Sequence, residues 1–329
     1  MGKIQMINKP VLSIIIPVYN ANQYLDDCLR SIFMQGFKDD EFEVLCIDDG
    51  STDSSVEIIR KWSKVHLNIR TFHQANAGVS AARNLGLSQV TGSYFQFVDA
   101  DDVVVPGSLK IICDLMRELH CTVAQFNFKN GFEFKYVKPM DISKYYVDEM
   151  TLSGSVWRYI FSSAEFGNMT FDTELKYEED TFFVQCVRLH RPRCLVVEDR
   201  CYFYRQSQRS AMATRDFSIC AESMLRIATN LQKILHEGTF QNESQRIIKW
   251  SARATAGYIY YRLRAGFKDS PFQMLRNMGL WPYPKEWDLL RVRTESGGGK
   301  LTLSNWLLFL VGIRPIWFVI NKINILSGR

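Results

Sequence analysis

Three short stretches decide the fold of this chain: SIIIPVYN at residues 13–20, IDDGS at 47–51 and FVDADD at 97–102. In each of them an apolar run typical of a buried strand ends abruptly, and side chains that carry oxygen atoms follow at once. In open α/β sheets, ligands bind in the crevice beyond the carboxyl ends of the strands. The three stretches therefore predict one ligand site built on three strand ends.

Strand and helix patterns alternate through residues 11–128. After the first strand, apolar residues recur at helical spacing from Leu25 to Phe33, with Asn22 as the predicted N-cap. Further strands are predicted at 42–47, 69–72, 94–98 and 122–128, with helices at 54–62, 79–87 and from Pro106 onwards. This alternation predicts an α/β fold with a Rossmann-like, mostly parallel sheet flanked by helices.

Beyond residue 128 the pattern is less regular. It favours a hairpin near 132–137 and helices near 154–162 and 179–189, followed by long helices at 218–236 and 243–264. A run of three glycines at 297–299 predicts a flexible linker. We therefore expect an α/β domain at residues 1–213 and a helical C-terminal region at 214–329.

Charge is distributed unevenly along the chain. The net charge is +5, whereas residues 241–329 hold 14 Lys and Arg against 5 Asp and Glu. From Leu301 to Leu326 the chain is strongly apolar, but Arg314 and Pro315 divide it into runs shorter than the roughly 20 residues of a membrane span. These features predict association with an anionic membrane surface, the alternatives being packed terminal helices and a true span.

Cysteine usage and the N-terminus indicate a compartment. The eight cysteines form no Cys-x-x-Cys pair, and no histidine stands at the spacing of a zinc ligand. Cys28 and Cys46 occupy apolar periodic positions typical of buried thiols, which fits a reducing environment. Residues 1–10 lack the apolar core of a signal peptide. We expect a cytoplasmic protein, peripheral at the inner face of the cytoplasmic membrane, that binds no nucleic acid.

A pair of carboxylates, Asp99 and Asp101, directly follows a predicted strand. Side chains at positions i and i+2 of an extended turn can converge on one hard cation, and the diphosphate of a nucleotide would complete an oxygen shell around Mg²⁺ or Mn²⁺. An acidic turn without a ligand is the alternative. Asp102 is predicted to cap a turn or helix rather than to bind the metal.

Two further segments carry candidate ligand groups. Asp49 follows a buried strand and can accept the imide N–H of uracil or the hydroxyls of a ribose; a capped turn, with Ser51 or Asp53 as the cap, is the alternative. The stretch NAGVSAARN at 76–84 has small residues where a helix must approach the sheet closely. Within it, Arg83 is expected to reach a phosphate or to pair with Asp99, unless it is a plain surface arginine.

Taken in order, IIPVYN, DDGSTD, NAGVSAARN and DADD resemble the motifs of family 2 glycosyltransferases, which have the GT-A fold. The resemblance covers residues 11–128 and continues to about 210. It implies an inverting transferase that uses a nucleotide-diphospho sugar, most often UDP-linked, and a divalent metal. It also implies that Pro17, Tyr19 and Asp49 hold the nucleobase, while Asp99 and Asp101 lie near the ribose, the diphosphate and the metal.

The stretch YEEDTFF at 177–183 resembles the Glu-Asp motif of the same family. By this resemblance Glu179 and Asp180 are the predicted catalytic residues, and Asp180 deprotonates the acceptor hydroxyl as general base. A helix N-terminus would lower the pKa of such a carboxylate, and partial burial would raise it. Three acids that merely open a helix are the alternative. Arg205 and Ser210 resemble a later family segment, in which Arg205 would support the diphosphate or close a loop.

The spacing of residues 245–250 departs from the Gln-x-x-Arg-Trp motif of processive members, which favours transfer of a single sugar to a glycan or lipid-linked saccharide. A non-catalytic nucleotide-sugar-binding scaffold in a polysaccharide assembly complex is the alternative. A nucleotidyltransferase would need a Gly-rich basic loop after the first strand, and a dinucleotide oxidoreductase would need Gly-x-Gly-x-x-Gly. Trp157, Phe166 and Phe171 are candidates either for stacking on sugar faces or for the core.

Overall fold

The computed structural model describes residues 9–133, 142–150, 154–206, 216–267 and 271–280. The strands are β1 (Leu12–Val18), β2 (Phe42–Asp48), β3 (Ile69–His73), β4 (Tyr94–Phe97), β5 (Val103–Val104), β6 (Val123–Gly131), β7 (Tyr145–Asp148), β8 (Tyr159–Ser162) and β9 (Cys194–Arg205). The helices are α1 (Leu25–Ile32), α2 (Ser55–Ser63), α3 (Val79–Ser88), α4 (Ser108–Glu118), α5 (Ser163–Phe166), α6 (Glu179–Leu189), α7 (Phe217–Glu237), α8 (Ser244–Arg264) and α9 (Phe272–Asn277).

The chain divides into two compact units, Met1–Thr173 with Glu179–Ser210, and Glu174–Glu178 with Ala211–Arg329. The first unit contains the sheet and α1 to α6, and the second contains α7 to α9. The domain boundary predicted between residues 213 and 214 lies outside the described residues. So do the glycine linker at 297–299 and the apolar tail at 301–326.

One mixed sheet forms the centre of the first unit, with the strand order β3-β2-β1-β4-β8-β6-β9-β5, and β7 also pairs with β9. β1, β2, β3 and β4 run parallel to one another, whereas β8 runs antiparallel to both β4 and β6. Because α1, α2 and α3 connect the parallel strands as crossovers, the carboxyl ends of these strands lie at one edge of the sheet. The predicted α/β fold is confirmed.

Apolar side chains alternate in direction along the central strands and build a core on each face of the sheet. Ile14 and Ile16 of β1 belong to a core shared with α1 and α4, while Ile15 belongs to one shared with α3 and α6. Gly86 lets α3 approach the sheet closely, since a Cβ at this position would overlap the side chain of Ile15. This contact explains the small residues predicted at the helix–sheet interface.

Two local predictions are wrong. Residues 154–162 do not form a helix: Val156–Arg158 make one turn of 3-10 helix, and Tyr159–Ser162 form the fully buried strand β8. A short apolar run buried on both faces cannot be distinguished from a helix by periodicity alone. Asn22 is not the N-cap of α1, which begins at Leu25; its side chain instead donates to the hydroxyl of Ser54.

The second unit contains the two long helices that were predicted, α7 and α8, which pack against each other. The carboxylate of Asp216 caps the N-terminus of α7 by accepting hydrogen bonds from the backbone of Ser218 and Ile219. At its other end Gly238 has a φ of +70°, the left-handed conformation in which many helices terminate. Within the described part of the chain, each helix is either too short or too polar to cross a membrane.

Candidate active site

The carboxyl ends of β1, β2 and β4 lie side by side, because β1 pairs with β2 on one side and with β4 on the other. The backbone of Asp49 donates a hydrogen bond to the carbonyl of Val18, and the backbone of Val98 donates to that of Ile15. The three polar stretches that decide the fold are thereby brought to one edge of the sheet.

Side chains tie the loop after β1 to the loop after β2. The amide oxygen of Asn20 accepts a hydrogen bond from the backbone of Thr52 at 2.8 Å, and the Ser51 hydroxyl accepts one from the backbone of Asn20 at 3.1 Å. Asn20 has a φ of +49°, a conformation that asparagine adopts more readily than most residues. In this arrangement Tyr19 is 52% exposed at the edge of the sheet, while Pro17 is partly buried within β1.

Asp49 is buried and fixed by the segment that precedes α3. Its carboxylate accepts hydrogen bonds from the Gln74 side chain at 2.7 Å and from the backbone of Ala77 and Gly78 at 2.8 and 2.9 Å. A carboxylate offers about four lone-pair positions, so these three bonds still allow it to accept an N–H from a ligand. The carboxylate therefore has one fixed orientation at the base of the edge.

Arg83 of α3 is buried, with its side chain only 5% exposed. One guanidinium nitrogen donates to a carboxylate oxygen of Asp99 at 3.2 Å, and the other donates to one of Glu179 at 3.0 Å. Burial lowers the pKa of Arg83, but the charges of Asp99, Glu179 and Asp180 outweigh burial and raise it. Of the arrangements expected for Arg83, the structure has the pairing with Asp99.

The acids of the FVDADD stretch have different environments. Burial, together with the negative charge of Asp99, raises the pKa of Asp101 to about 6. Asp102 is completely buried: its carboxylate accepts from the Tyr202 hydroxyl at 2.8 Å and from the backbone of Arg205 at 2.7 Å. Its side chain joins the loop to β9, a structural role, although it is not the turn or helix cap that was predicted.

Arg205, the last residue of β9, also holds this loop. Its Nε donates to the backbone carbonyl of Asp101 at 2.8 Å, its guanidinium lies 3.4 Å from the carboxylate of Asp27, and its Cζ is 4.6 Å from the ring centre of Tyr24. These contacts correspond to the loop-closing alternative predicted for Arg205. Ser210 lies outside the described residues.

The Glu-Asp pair stands at the N-terminus of α6. Glu179 is the first residue of this helix, and burial raises its pKa, the charge of Asp180 raises it further, and Arg83 opposes both. Asp180 accepts a hydrogen bond from the backbone of Thr181 at 2.7 Å, and its charge also raises the pKa of Asp99. The structure thus gathers Arg83, Asp99, Glu179 and Asp180 into one cluster.

The aromatic candidates belong to the core: Trp157, Phe166 and Phe171 are each at most 4% exposed. Sequence reasoning missed Asn84, whose side chain binds the backbone of Phe171 twice, donating to its carbonyl at 2.9 Å and accepting from its amide at 2.7 Å. Asn84 is the last residue of the NAGVSAARN stretch, so the sequence already marked it as part of a candidate segment. Its partner Phe171 could not be predicted, because the two residues are 87 positions apart in the sequence.

The carboxylates of Asp99 and Asp101 are the groups that fit a divalent cation. Burial raises the pKa of both; the charge of Asp180 adds to this rise at Asp99, and the charge of Asp99 adds to it at Asp101. No group of three or more His, Cys, Asp or Glu forms a metal-holding cluster in the ranges that the structure describes. Mg²⁺ is commonly held by one or two carboxylates together with the phosphates of a substrate, and this donor set meets that requirement.

Comparison with known proteins identifies the family. The sequence model described as Glycosyl transferase family 2 matches residues 13–183. The chain belongs to glycosyl transferase family 2. The matched range contains all four residues of the cluster, from Arg83 on α3 to Asp180 near the start of α6.

Two similar curated proteins show how far the likeness extends. The chain is 28% identical over 217 residues to the uncharacterized glycosyltransferase EpsJ of Bacillus subtilis (strain 168), covering 61% of this chain and 62% of EpsJ. It is 32% identical over 201 residues to the poly(ribitol-phosphate) beta-N-acetylglucosaminyltransferase TarS of Staphylococcus aureus (strain MW2), covering 58% of this chain and 35% of TarS. The matches therefore span less than two thirds of either relative.

A solved structure supports the GT-A fold of this family 2 chain. The crystal structure of S. aureus TarS 1–349 in complex with UDP-GlcNAc matches with a TM-score of 0.67 at 23% sequence identity. The match covers 97% of this chain and 92% of that one. The predicted GT-A fold with a helical C-terminal extension is thereby confirmed.

Proposed function

We propose that this family 2 protein is an inverting glycosyltransferase that moves one sugar from a nucleotide-diphospho sugar to a glycan or lipid-linked saccharide acceptor. The observation that carries this proposal is the cluster of Arg83, Asp99, Glu179 and Asp180 at the carboxyl edge of the parallel strands. The TarS complex contains UDP-GlcNAc, which supports a UDP-sugar donor and a hexosyl- or N-acetylhexosaminyltransferase.

The donor would bind along the ends of β1, β2 and β4. In this proposal the exposed ring of Tyr19 packs against the nucleobase beside Pro17, and the fixed carboxylate of Asp49 accepts the N–H of the base. Asp99 faces the ribose and the diphosphate, with its orientation held by Arg83. A preorganised carboxylate binds more strongly than a mobile one, because the cost of ordering it has been met in folding.

Asp99 and Asp101 are the residues that would hold Mg²⁺ or Mn²⁺. When bound there, the cation would neutralise part of the charge that develops on the departing nucleoside diphosphate. Arg205 contributes indirectly, because its hydrogen bond to the carbonyl of Asp101 fixes the loop that carries both carboxylates.

Asp180 is the proposed general base. Its carboxylate would take the proton of the acceptor hydroxyl while the hydroxyl oxygen attacks the anomeric carbon and the bond to the diphosphate breaks. Attack opposite the leaving group inverts the configuration at that carbon. General-base catalysis of this kind contributes about 10² to 10⁴ in rate.

The acceptor and the cellular setting are also proposals. The basic balance of residues 241–329 and the apolar tail at 301–326 support an enzyme held peripherally on an anionic membrane at the cytoplasmic side. A lipid-linked saccharide of surface polysaccharide biosynthesis would be presented at such a membrane.

Asp101→Ala tests the donor and metal assignment. We expect calorimetry to show that wild-type protein binds UDP in the presence of Mn²⁺, and that Asp101→Ala loses the metal-dependent part of this binding with an unchanged thermal midpoint. Asp40→Ala, at an exposed position in a turn, is the matched control. UDP affinity that is the same with Mn²⁺ and with a chelator would contradict the assignment. Binding without any sugar transfer would instead favour the scaffold.

A further inference from the structure

Arg83 connects two parts of the cluster that come from different elements. Asp99 lies in the loop after β4, which the proposed function assigns to the donor, and Glu179 opens α6, which carries the proposed base. Both hydrogen bonds are formed by a single guanidinium group that is almost completely buried. A rigid fork of N–H donors that binds two carboxylates at once fixes the distance between them and also stabilises their negative charges.

An aromatic contact supports the same connection. The Cζ of Arg83 is 5.4 Å from the ring centre of Phe171, and that ring stacks on Phe183 of α6 with 4.3 Å between centroids and 8° between planes. The side chain of Asn84, the neighbour of Arg83 on α3, forms two hydrogen bonds with the backbone of Phe171. Two successive residues of α3 therefore hold α6. Arg83 does so through its ion pair with Glu179, and Asn84 does so through Phe171, whose ring stacks on Phe183.

Glu179 is poorly suited to remove a proton from an acceptor. Its side chain is only 15% exposed, and one carboxylate oxygen accepts from the guanidinium of Arg83, a group that never releases its own proton in a protein. The carboxylate of Asp180 instead accepts a local hydrogen bond from the backbone of Thr181. The two adjacent acids therefore have different partners, which indicates different roles.

We propose that Glu179 is a positioning residue: by binding Arg83 it fixes the start of α6, and with it Asp180, relative to Asp99 and the bound donor. This inference rests on the proposed function, in which Asp180 is the base. Glu179 then contributes no proton transfer of its own. An amide oxygen in its place would still accept the hydrogen bond from Arg83.

The comparison of Glu179→Gln with Glu179→Ala tests this role. Glu179→Gln keeps an acceptor for Arg83, so we expect its kcat to stay within about tenfold of the wild-type value. Glu179→Ala loses that acceptor, and a base displaced by about 1 Å lowers kcat by about 10²-fold. The KM for the donor should change less than about threefold in both variants, because the bond between Arg83 and Asp99 remains. Glu118→Ala, at an exposed position on α4, is the control.

Equal losses in Glu179→Gln and Glu179→Ala, both as severe as in Asp180→Asn, would overturn the inference, because they would indicate that Glu179 itself acts as the base. Full activity in Glu179→Ala would overturn it as well. Urea unfolding supplies a readout that does not depend on activity. Glu179→Ala and Arg83→Lys, separately and combined, should couple by at least about fivefold in the unfolding equilibrium constant. If wild-type protein transfers no sugar, the proposed function fails, and additive effects in this cycle would then refute the connection between Arg83 and Glu179.

Discussion

Each acid of the FVDADD stretch is distinguished by its partners. Asp99 is paired with Arg83, Asp102 accepts hydrogen bonds from Tyr202 and from the backbone of Arg205, and Asp101 is partly buried beside the charge of Asp99. One sequence motif therefore contains a carboxylate paired with a buried arginine, a carboxylate bonded to β9 and a partly buried carboxylate beside the first. Such differences arise from contacts with distant strands, which the motif itself does not contain.

The raised pKa of Asp101 predicts how metal binding depends on pH. A carboxylate must be deprotonated to bind a cation, and a pKa of about 6 leaves Asp101 protonated at lower pH. We expect the affinity for Mn²⁺, measured by calorimetry with the metal alone, to be constant above about pH 7. Below pH 6 it should fall by about tenfold per pH unit.

The matching control is Asp101→Asn, which should bind Mn²⁺ weakly and without this pH dependence. An affinity for Mn²⁺ that does not change between pH 5 and pH 7 in the wild-type protein would show that Asp101 is not a ligand.

At the scale of secondary-structure elements, the sequence was sufficient to predict the fold wherever a strand, the following turn and the following helix are close together in the chain. From β1 to α4, the elements other than the two-residue strand β5 follow from apolar periodicity and turn residues, and the polar strand ends meet because parallel strands share an edge. β8 was predicted as a helix and β9 was missed. Both are defined by pairing with strands more than 30 positions away, such as Gln96 with Ile160 and Val123 with Cys194. The same distance hid the bond between Arg83 and Glu179.

Glu43 of β2 joins several elements beneath the site. Its carboxylate accepts from the hydroxyl of Ser13 at 2.6 Å, from the backbone and the hydroxyl of Thr91 at 2.7 Å each, and from Arg70 at 2.8 Å. Burial raises the pKa of Glu43, but these hydrogen bonds outweigh it and lower the pKa below its ordinary value. Removing the carboxylate takes the acceptor from these donors, of which the hydroxyl of Ser13 is fully buried.

We expect Glu43→Ala to lower the free energy of unfolding by about 3 kcal/mol at pH 7, measured by urea denaturation. Because the pKa is lower in the folded state, the contribution is complete above the unfolded pKa of about 4.3 and is lost as the pH falls through the folded value. The difference between wild type and variant should therefore shrink in acid. Glu57→Ala, exposed on α2, should change stability by less than about 0.5 kcal/mol. An equal effect of both substitutions would contradict this role.

Gly86→Ala tests the close packing of α3 on the sheet. Alanine favours a helix more than glycine does by about 1 kcal/mol, but its Cβ would overlap Ile15 and come within 3.4 Å of Ile47. Overpacking of this kind costs about 1 to 3 kcal/mol, so we expect a net loss of stability in urea. Ser88→Ala, at the exposed end of α3, is the control. A stabilised Gly86→Ala would mean that α3 has room to move away from β1.

At the scale of the whole molecule, the C-terminal sequence is expected to bring the enzyme to a membrane. Each basic residue near an anionic surface contributes about 1 kcal/mol, which salt screens, whereas insertion of apolar side chains is not weakened by salt. Full-length protein should float with anionic liposomes and be released only in part by high salt. A chain truncated before Leu301 should stay out of the lipid fraction and still use soluble acceptors. Full-length protein that avoids the lipid at low salt would contradict the membrane proposal.

The most direct test of the central claim is the release of UDP from a panel of UDP-sugars, with Mn²⁺ and a mixture of saccharide acceptors, by wild-type protein and by Asp180→Asn. We expect wild-type protein to release UDP from at least one UDP-hexose or UDP-N-acetylhexosamine, and only when metal is present. Asp180→Asn should bind the same donor with unchanged affinity and lose about 10²- to 10⁴-fold in kcat. A variant that turns over as fast as wild type, or that loses donor affinity while kcat survives, would contradict the assignment of Asp180 as the base.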